Sequence, residues 1–273
     1  IEFRKYDQLP KAMTPLTEGV TPTGKEMNVT KIEATVKQYG DFIELSDLLI
    51  LTAIDNNIVE ATTLIGSQAG RTLDTISREV LAAGTNVQYA EGQVTSRAAL
   101  TPEMKLTVKA VKKAVRFLKK QNAKKINGYY YGIVHPDCSY DLTEDARWID
   151  AVKYKNPERI YNGEIGEIEG ARFVETTEAK IWAKAGAAKS TSDTTKIDVY
   201  GTLIFGANAY ATTKIEGGGL KTIIKQLGSA GTGDPLDQRA TVGWKALKVT
   251  EILTEAYMIR IETASTFSDG EAN

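Results

Sequence analysis

The sequence predicts an α+β fold, and three observations lead there. Short runs near both ends alternate apolar and polar residues with a period of two. Between them, one long run repeats apolar residues every three or four positions, the spacing of a helix face. The remainder mixes short strands with short helices and lacks the regular rhythm of a doubly wound sheet.

At the start, IEFRKY places Ile1 and Phe3 on one face. In KIEATVKQ, Ile32, Ala34 and Val36 alternate with Glu33, Thr35 and Lys37. Together these runs read as a half-buried ribbon. The stretch between them, PKAMTPLTEGVTPTGKE, carries three prolines, two glycines and four threonines. Hairpins normally close in about two to five residues, so this link needs a reason outside the hairpin itself.

From Asp55 to Ala83 the apolar positions are Ile58, Ala61, Ile65, Ala69, Leu73, Ile76, Val80 and Ala83. They form one helical stripe, with Asp55 or Asn56 as N-cap and Gly84 as the stop. Such a helix runs about 42 Å at 1.5 Å per residue. Gly66 and Gly70 interrupt the stripe and read as close approach of another element or slight bending.

A second helix is predicted from Thr101 as N-cap, with Pro102 in its first turn, to Asn122. Met104, Val108, Val111, Val115 and Leu118 form its apolar face. The opposite face carries Lys105, Lys109, Lys112, Lys113, Arg116, Lys119 and Lys120, continuing to Lys124 and Lys125 with no acidic residue between. Clustered charge of this kind is the electrostatic footprint of nucleic-acid contact. A solvated helix face, or one that meets acidic patches on a neighbour, is the favoured reading, because no aromatic residues interleave as a base-stacking surface requires.

Beyond this helix, NGYYYGIVHP reads as a buried strand, LTEDARWIDAV as a short helix and IYNGEIGEIEGARFVETTEA as a hairpin with glycine turns. The stretch from Gly186 to Thr195 reads as a flexible link. KIDVYGTLIFGANAYATTKIE reads as a strand pair, and GGGLKTIIKQLGSAGTGDP as a glycine-rich loop. EAYMIRIETA is a last alternating strand, followed from Phe267 by a tail expected to be disordered.

Composition narrows the function classes. The 273 residues suffice for a sizeable core. A net charge of −1 gives no overall pull toward nucleic acid or membrane. No apolar run approaches the roughly 20 residues that cross a bilayer, so no membrane partner is expected. The single cysteine, Cys138, excludes an internal disulfide framework. The sequence opens on Ile1 rather than Met, and its true N-terminus is expected to be trimmed, disordered or removed.

No catalytic constellation emerges. His135, Cys138 and Asp141 fall together in HPDCSYD, but nothing around them matches a nucleophile elbow or thiol-protease signature. They read as a turn in which Pro136 ends the strand and Asp137 caps the next segment. One His and one Cys cannot close a zinc site. Glu164, Glu167 and Glu169 read as a solvated hairpin face. EGGGLK and GSAGTGD lack the ending of a P-loop and the spacing of a dinucleotide fingerprint. No catalytic residue, metal or cofactor is expected.

The order of parts resembles a known family. IEFRKYDQLPKAMTPLTEGVTPTG, VKQYGDFIELSD, AIDNNIVEATTLIGSQAGRTLDTISREVL, GIVHPD, GEIGEIEGARFVET and DQRATVGWK together span nearly the whole chain. In combination they resemble the major capsid proteins of tailed bacteriophages, the Hong Kong 97-type fold, and within them the podovirus-coat-like prophage branch.

That resemblance implies an extended loop at about 1–40 that lies over an adjacent subunit. Pro10, Pro15, Glu18, Pro22 and Lys25 are then candidates for inter-subunit contact. It implies a peripheral domain at about 41–125 with a spine helix at 56–83, an axial domain at 126–239, and returning strands with a tail at 240–273. Gly217, Gly218, Gly219, Gly231 and Asp234 become candidates for an axial loop. The family also carries an N-terminal arm ahead of the extended loop, which this sequence does not include. The implied function is a coat protein of the virion, assembled in the bacterial cytoplasm through pentamers and hexamers into an icosahedral head. The implied partners are itself, packaged double-stranded DNA, a portal, and scaffold or decoration proteins. Two alternatives stay open: an encapsulin-like nanocompartment shell, and a nucleic-acid-binding protein that uses the basic helix.

Overall fold

Alternation at the start of the chain builds a ribbon, in which β1 (Glu2–Tyr6) pairs antiparallel with β2 (Val29–Glu33), Phe3 opposite Ile32. The computed structural model describes residues 1–155, 166–213, 217–229, 231–268 and 270. The alternation expected through KIEATVKQ does not form one strand. It stops at Glu33 and resumes in β3 (Lys37–Ser46), because the two parts have different partners. β2 belongs to the ribbon, whereas β3 pairs over its whole length with a strand from the far end of the chain.

A short helix that the sequence reading did not contain follows, α1 (Asp47–Thr52), capped by Ser46 Oγ accepting from Leu49 N. The long helix α2 (Asn57–Ala82) comes next, with Asn56 at its N-cap position and Gly84 just past its end. Gly66 and Gly70 are not sites of close approach, since a Cβ at either would meet nothing within 4 Å.

The chain continues through β4 (Val87–Tyr89), α3 (Val108–Lys120), β5 (Tyr130–Val134), α4 (Pro136–Thr143) and α5 (Ala146–Lys155). Then come β6 (Glu167–Ile168), β7 (Ala171–Glu175), β8 (Ile181–Trp182), β9 (Val199–Phe205), β10 (Tyr210–Thr212) and β11 (Lys221–Lys225). β12 (Arg239–Lys248), β13 (Thr250–Ile252) and β14 (Met258–Thr263) complete the described strands.

Two larger sheets organise these elements. One has the order β11-β12-β3, and the other β4-β14-β9-β5-β7-β6 with β8 also on β9; β10 and β13 pair separately. α2 packs on both larger sheets. Its first half sets Ala61, Ile65 and Ala69 among Leu45, Val242, Trp244 and Ala246 of the three-stranded sheet. Its last turn sets Leu81 against Leu203, Phe205 and Met258 of the larger one. α3 lies on the larger sheet, burying Val111, Ala114, Val115 and Leu118 with Ile204 and Ile261.

Several expectations are corrected by these pairings. The second helix starts at Val108, with Thr107 Oγ1 accepting from Ala110 N, and not at Thr101. The preceding residues are held extended, because Lys105 bridges Ala264 and Ala264 N donates to Met104 O. The Thr107→Ala variant is therefore expected to lose about 1 kcal/mol, and Thr101→Ala only a few tenths. Equal losses in thermal melts would contradict this assignment.

GGGLKTIIKQLGSAGTGDP is not a loop throughout, since β11 within it pairs with β12, Ile223 opposite Gly243. The boundary expected near residue 240 thus cuts a hairpin. β14, placed by that boundary with the returning strands, pairs with β9 and β4 in the larger sheet. The KIDVYGTLIFGANAYATTKIE pair does not form either, because β9 joins the larger sheet and β10 pairs with β13. The 186–195 link is held by Gly186 N and Ala187 N, which donate to Ile197 O and Leu100 O.

Candidate assembly and nucleic-acid surfaces

The extended-loop candidates lie where alternation ends and prolines begin. Asp7 closes the ribbon by accepting from Asn28 Nδ2 at 2.8 Å and Thr30 Oγ1 at 3.2 Å. Beyond it, Pro10, Pro15, Glu18, Pro22 and Lys25 are all exposed. So are the apolar side chains among them: Met13 is 80% exposed, Leu16 78% and Met27 73%. A loop whose large apolar groups stay mostly exposed on its own chain gains little for the monomer from carrying them.

The glycine-rich candidates flank β11. Gly217, Gly218 and Gly219 precede it, and Gly218 O accepts from Leu247 N at 2.9 Å. Gly231 and Asp234 sit at the far end, where Asp234 is buried and its carboxylate accepts from Arg239 N at 2.8 Å. These two stretches sit at opposite ends of β11 on the three-stranded sheet, not on the seven-stranded one. A cavity of about 360 Å³ opens beside Asp234, among Glu44, Lys225, Arg239 and Thr241.

The basic stretch divides once its surroundings are known. Lys105 lies ahead of α3, where its Nζ donates to Thr266 Oγ1 at 2.8 Å. Lys109 pairs with Glu91, Lys113 Nζ donates to Glu91 O at 3.0 Å, and Lys112 pairs with Glu169 at 3.2 Å. Hydrogen bonding to Lys109 holds the Glu91 carboxyl below the usual range. Arg116, Lys119 and Lys120 are exposed.

His135, Cys138 and Asp141 each have a structural task. His135, not Asp137, caps α4, its Nδ1 accepting from Asp137 N at 3.2 Å. The Cys138 thiol is fully buried 3.7 Å from Thr263 Oγ1, and burial pushes it far up, away from a thiolate. Asp141 accepts from Ser265 Oγ, Thr266 N and Thr266 Oγ1. Asp198 holds the next residues, accepting from Ser268 Oγ and Gly270 N. The tail expected to be disordered from Phe267 is thus fastened through Ser268 and again at Gly270. Among the described residues no cluster of His, Cys, Asp and Glu is placed to hold a metal. Glu167 lies in β6 and Glu169 pairs with Lys112, while Glu164 falls outside the described residues.

Burial pushes the His135 imidazole below its ordinary 6.5, against the opposing charges of Asp137 and Glu175, with the Tyr200 ring packed at 5.2 Å. The unfolded chain therefore binds the proton more readily. This contribution to stability is fully present above about pH 6.5 and declines as pH falls toward the folded-state value. His135→Asn preserves a capping side chain and is expected to flatten the stability loss between pH 7 and pH 5.5. Urea melts of both proteins at the two pH values would show it, and equal slopes would reject it.

Sequence reasoning missed the most deeply buried charge. Glu262 is fully buried, with Arg97 Nε and Nη2 donating to its two oxygens at 2.7 Å and Arg260 Nε donating at 2.8 Å. Arg97 also stacks over Trp182, 3.7 Å from its ring centroid. The alternation in EAYMIRIETA carried the only signal, an Arg and a Glu on one strand face.

The comparisons with known proteins agree with this architecture. The family model described as phage capsid protein matches residues 56–227, and the chain belongs to that family. No curated protein sequence matches it. Among solved structures, the capsid of Ralstonia phage GP4 aligns with TM-score 0.70 over 99% of this chain and 85% of that one, at 14% identity. The capsid of Cyanophage P-SCSP1u aligns with TM-score 0.69 over 97% and 84%, also at 14% identity. The mature capsid of bacteriophage PhiM1 aligns with TM-score 0.61 over 96% and 81%, at 13% identity. The fold is the phage-capsid fold. The chain is a structural coat protein of the virion that self-assembles into a shell. No helix among the described residues is long and apolar enough to cross a membrane.

Proposed function

We propose that this coat protein builds an icosahedral head from pentamers and hexamers and encloses double-stranded DNA. The observation that carries the reading is the loop between Asp7 and Asn28, whose Met13, Leu16 and Met27 are largely exposed and join no core cluster among the described residues. A neighbouring copy that covers them supplies the missing burial, at roughly 25 cal/mol per Å² of apolar surface. Contacts repeated around rings close such a shell, and a subunit held by several neighbours leaves only when all release it.

In this reading the ribbon is the extended loop, with Pro10, Pro15, Glu18, Pro22 and Lys25 at the inter-subunit contact. α2 and the three-stranded sheet make the peripheral domain. The seven-stranded sheet with α3 makes the axial domain. This division follows sheet membership and differs from the bounds at 125 and 240 that the resemblance implies. The Gly217–Gly219 and Gly231–Asp234 turns then belong to the peripheral domain. The protein is not an enzyme. It is assembled in the host cytoplasm beside a portal and scaffold or decoration proteins.

Negative-stain microscopy with sedimentation of the native protein tests the proposal. Closed particles, or discrete pentamers and hexamers, are expected. A monomer indifferent to concentration would overturn it. Cargo protein in place of nucleic acid would favour a nanocompartment shell.

A further inference from the structure

The cations of α3 fall into two sets that run together in the sequence. Lys109 and Lys112 pair with the carboxylates of Glu91 and Glu169 of the same chain, and Lys113 Nζ donates to the Glu91 backbone carbonyl. Beyond Lys113 this stops. Arg116, Lys119 and Lys120 on the last turns, and Lys124 and Lys125 just after them, are exposed. Among the described residues none of these five makes an ion pair. Lys125 instead lies over the Tyr130 ring, 5.6 Å from its centroid.

The dipole of α3 places roughly half a negative charge at this end. That offsets only a small part of five positive charges. The backbone beneath the five is fixed. Leu118 and Ala123 are buried, Ala123 N donates to Leu118 O at 3.0 Å, and Ala207 N donates to Lys124 O at 2.8 Å. Arg116, Lys119 and Lys120 share one face by their three- and four-residue spacing. An array of this kind matches a partner with closely repeated negative charge. Phe117, the one aromatic residue of α3, packs toward the core and offers no platform for a base.

We infer that Arg116, Lys119, Lys120, Lys124 and Lys125 form a docking surface for the phosphate backbone of nucleic acid, without base readout. The paired first half of α3 takes no part. The identity of that nucleic acid as the enclosed genome rests on the proposed shell function. The charge argument does not.

The test is binding of the purified full chain to a fluorescein-labelled duplex of random sequence, by anisotropy at stepped salt concentrations. Affinity should fall steeply with salt. Arg116→Gln/Lys119→Gln/Lys120→Gln should weaken binding about tenfold or more and reduce the log–log salt slope by about 2.7, since each phosphate contact contributes about 0.9. Lys109→Gln/Lys112→Gln should leave both values unchanged. All these side chains are exposed, and circular dichroism checks that the variants fold. Three results would each overturn the inference: no salt-dependent binding by the wild type, an unaffected triple variant, or displacement by polyglutamate as readily as by unlabelled duplex. The last would mark an acidic protein neighbour as the partner. Microscopy of the same samples keeps the two readings apart, because absence of wild-type shells would overturn the proposed function and leave the binding result standing.

Discussion

Deletion of Pro10–Glu26 is expected to leave a folded subunit that no longer closes into shells. The deletion joins Leu9 to Met27, so Gln8, Leu9 and Met27 close the turn between Asp7 and Asn28. A turn of that length suits an antiparallel pair. Every residue removed is exposed, and none belongs to a core cluster. The melting temperature should therefore change by no more than about 2 °C, the shift expected from under 1 kcal/mol in a chain of this size. Assembly should fall by far more, because each subunit loses the apolar surface of Met13, Leu16 and Val20 that a neighbour would bury. Sedimentation and microscopy of the deletion variant give the answer directly. Complete shells from the shortened chain would sink the role assigned to the loop.

The largest effect on stability is expected at Glu262. Glu262→Ala leaves Arg97 and Arg260 facing an empty space where one buried carboxylate had accepted from both. Removing one partner from a buried, hydrogen-bonded charge group typically costs about 3–5 kcal/mol. For a chain of this length that lowers the melting temperature by roughly 6–15 °C. Arg97→Ala should cost less, because its side chain is 30% exposed and the carboxylate keeps Arg260. A loss below about 1 kcal/mol for Glu262→Ala in denaturant titration would show that water replaces the missing carboxylate.

The parts of the fold legible in the sequence were those whose signals are local. α2 announces itself through a stripe from Ile58 to Val80 and ends beside Gly84, and the first ribbon through Ile1, Phe3 and Ile32. The start of α3 was misread because Thr101, Pro102 and Glu103 have the chemistry of a helix start. Their segment is instead recruited as an extended neighbour of Ala264, a contact across most of the chain. β11 escaped notice for a different reason. It is an edge strand with every residue exposed, so no burial period marks it, and its partner lies beyond a glycine-rich turn.

The candidate surfaces divide along the same line. The unburied loop could be read from its prolines, threonines and length. The halving of the basic face could not, since Glu91 and Glu169 lie far from α3 in sequence and reach it only through the fold. The fastening of the tail by Asp141 and Asp198 was hidden likewise.

The placement of α2 has a mechanical consequence. One rod of 26 residues, about 39 Å long at 1.5 Å per residue, is bonded by close packing to one sheet through Ile65 and Ala69 and to the other through Leu81. Close-packed interiors are nearly incompressible and transmit strain rather than absorb it. A twist of one sheet against the other must therefore bend the rod or strip its side chains from their seats. Torque from a neighbour gripping the three-stranded sheet is delivered to the seven-stranded one, and the subunit answers load as a single lever. In a closed shell under outward pressure, such stiffness passes the stress on to the joints between subunits.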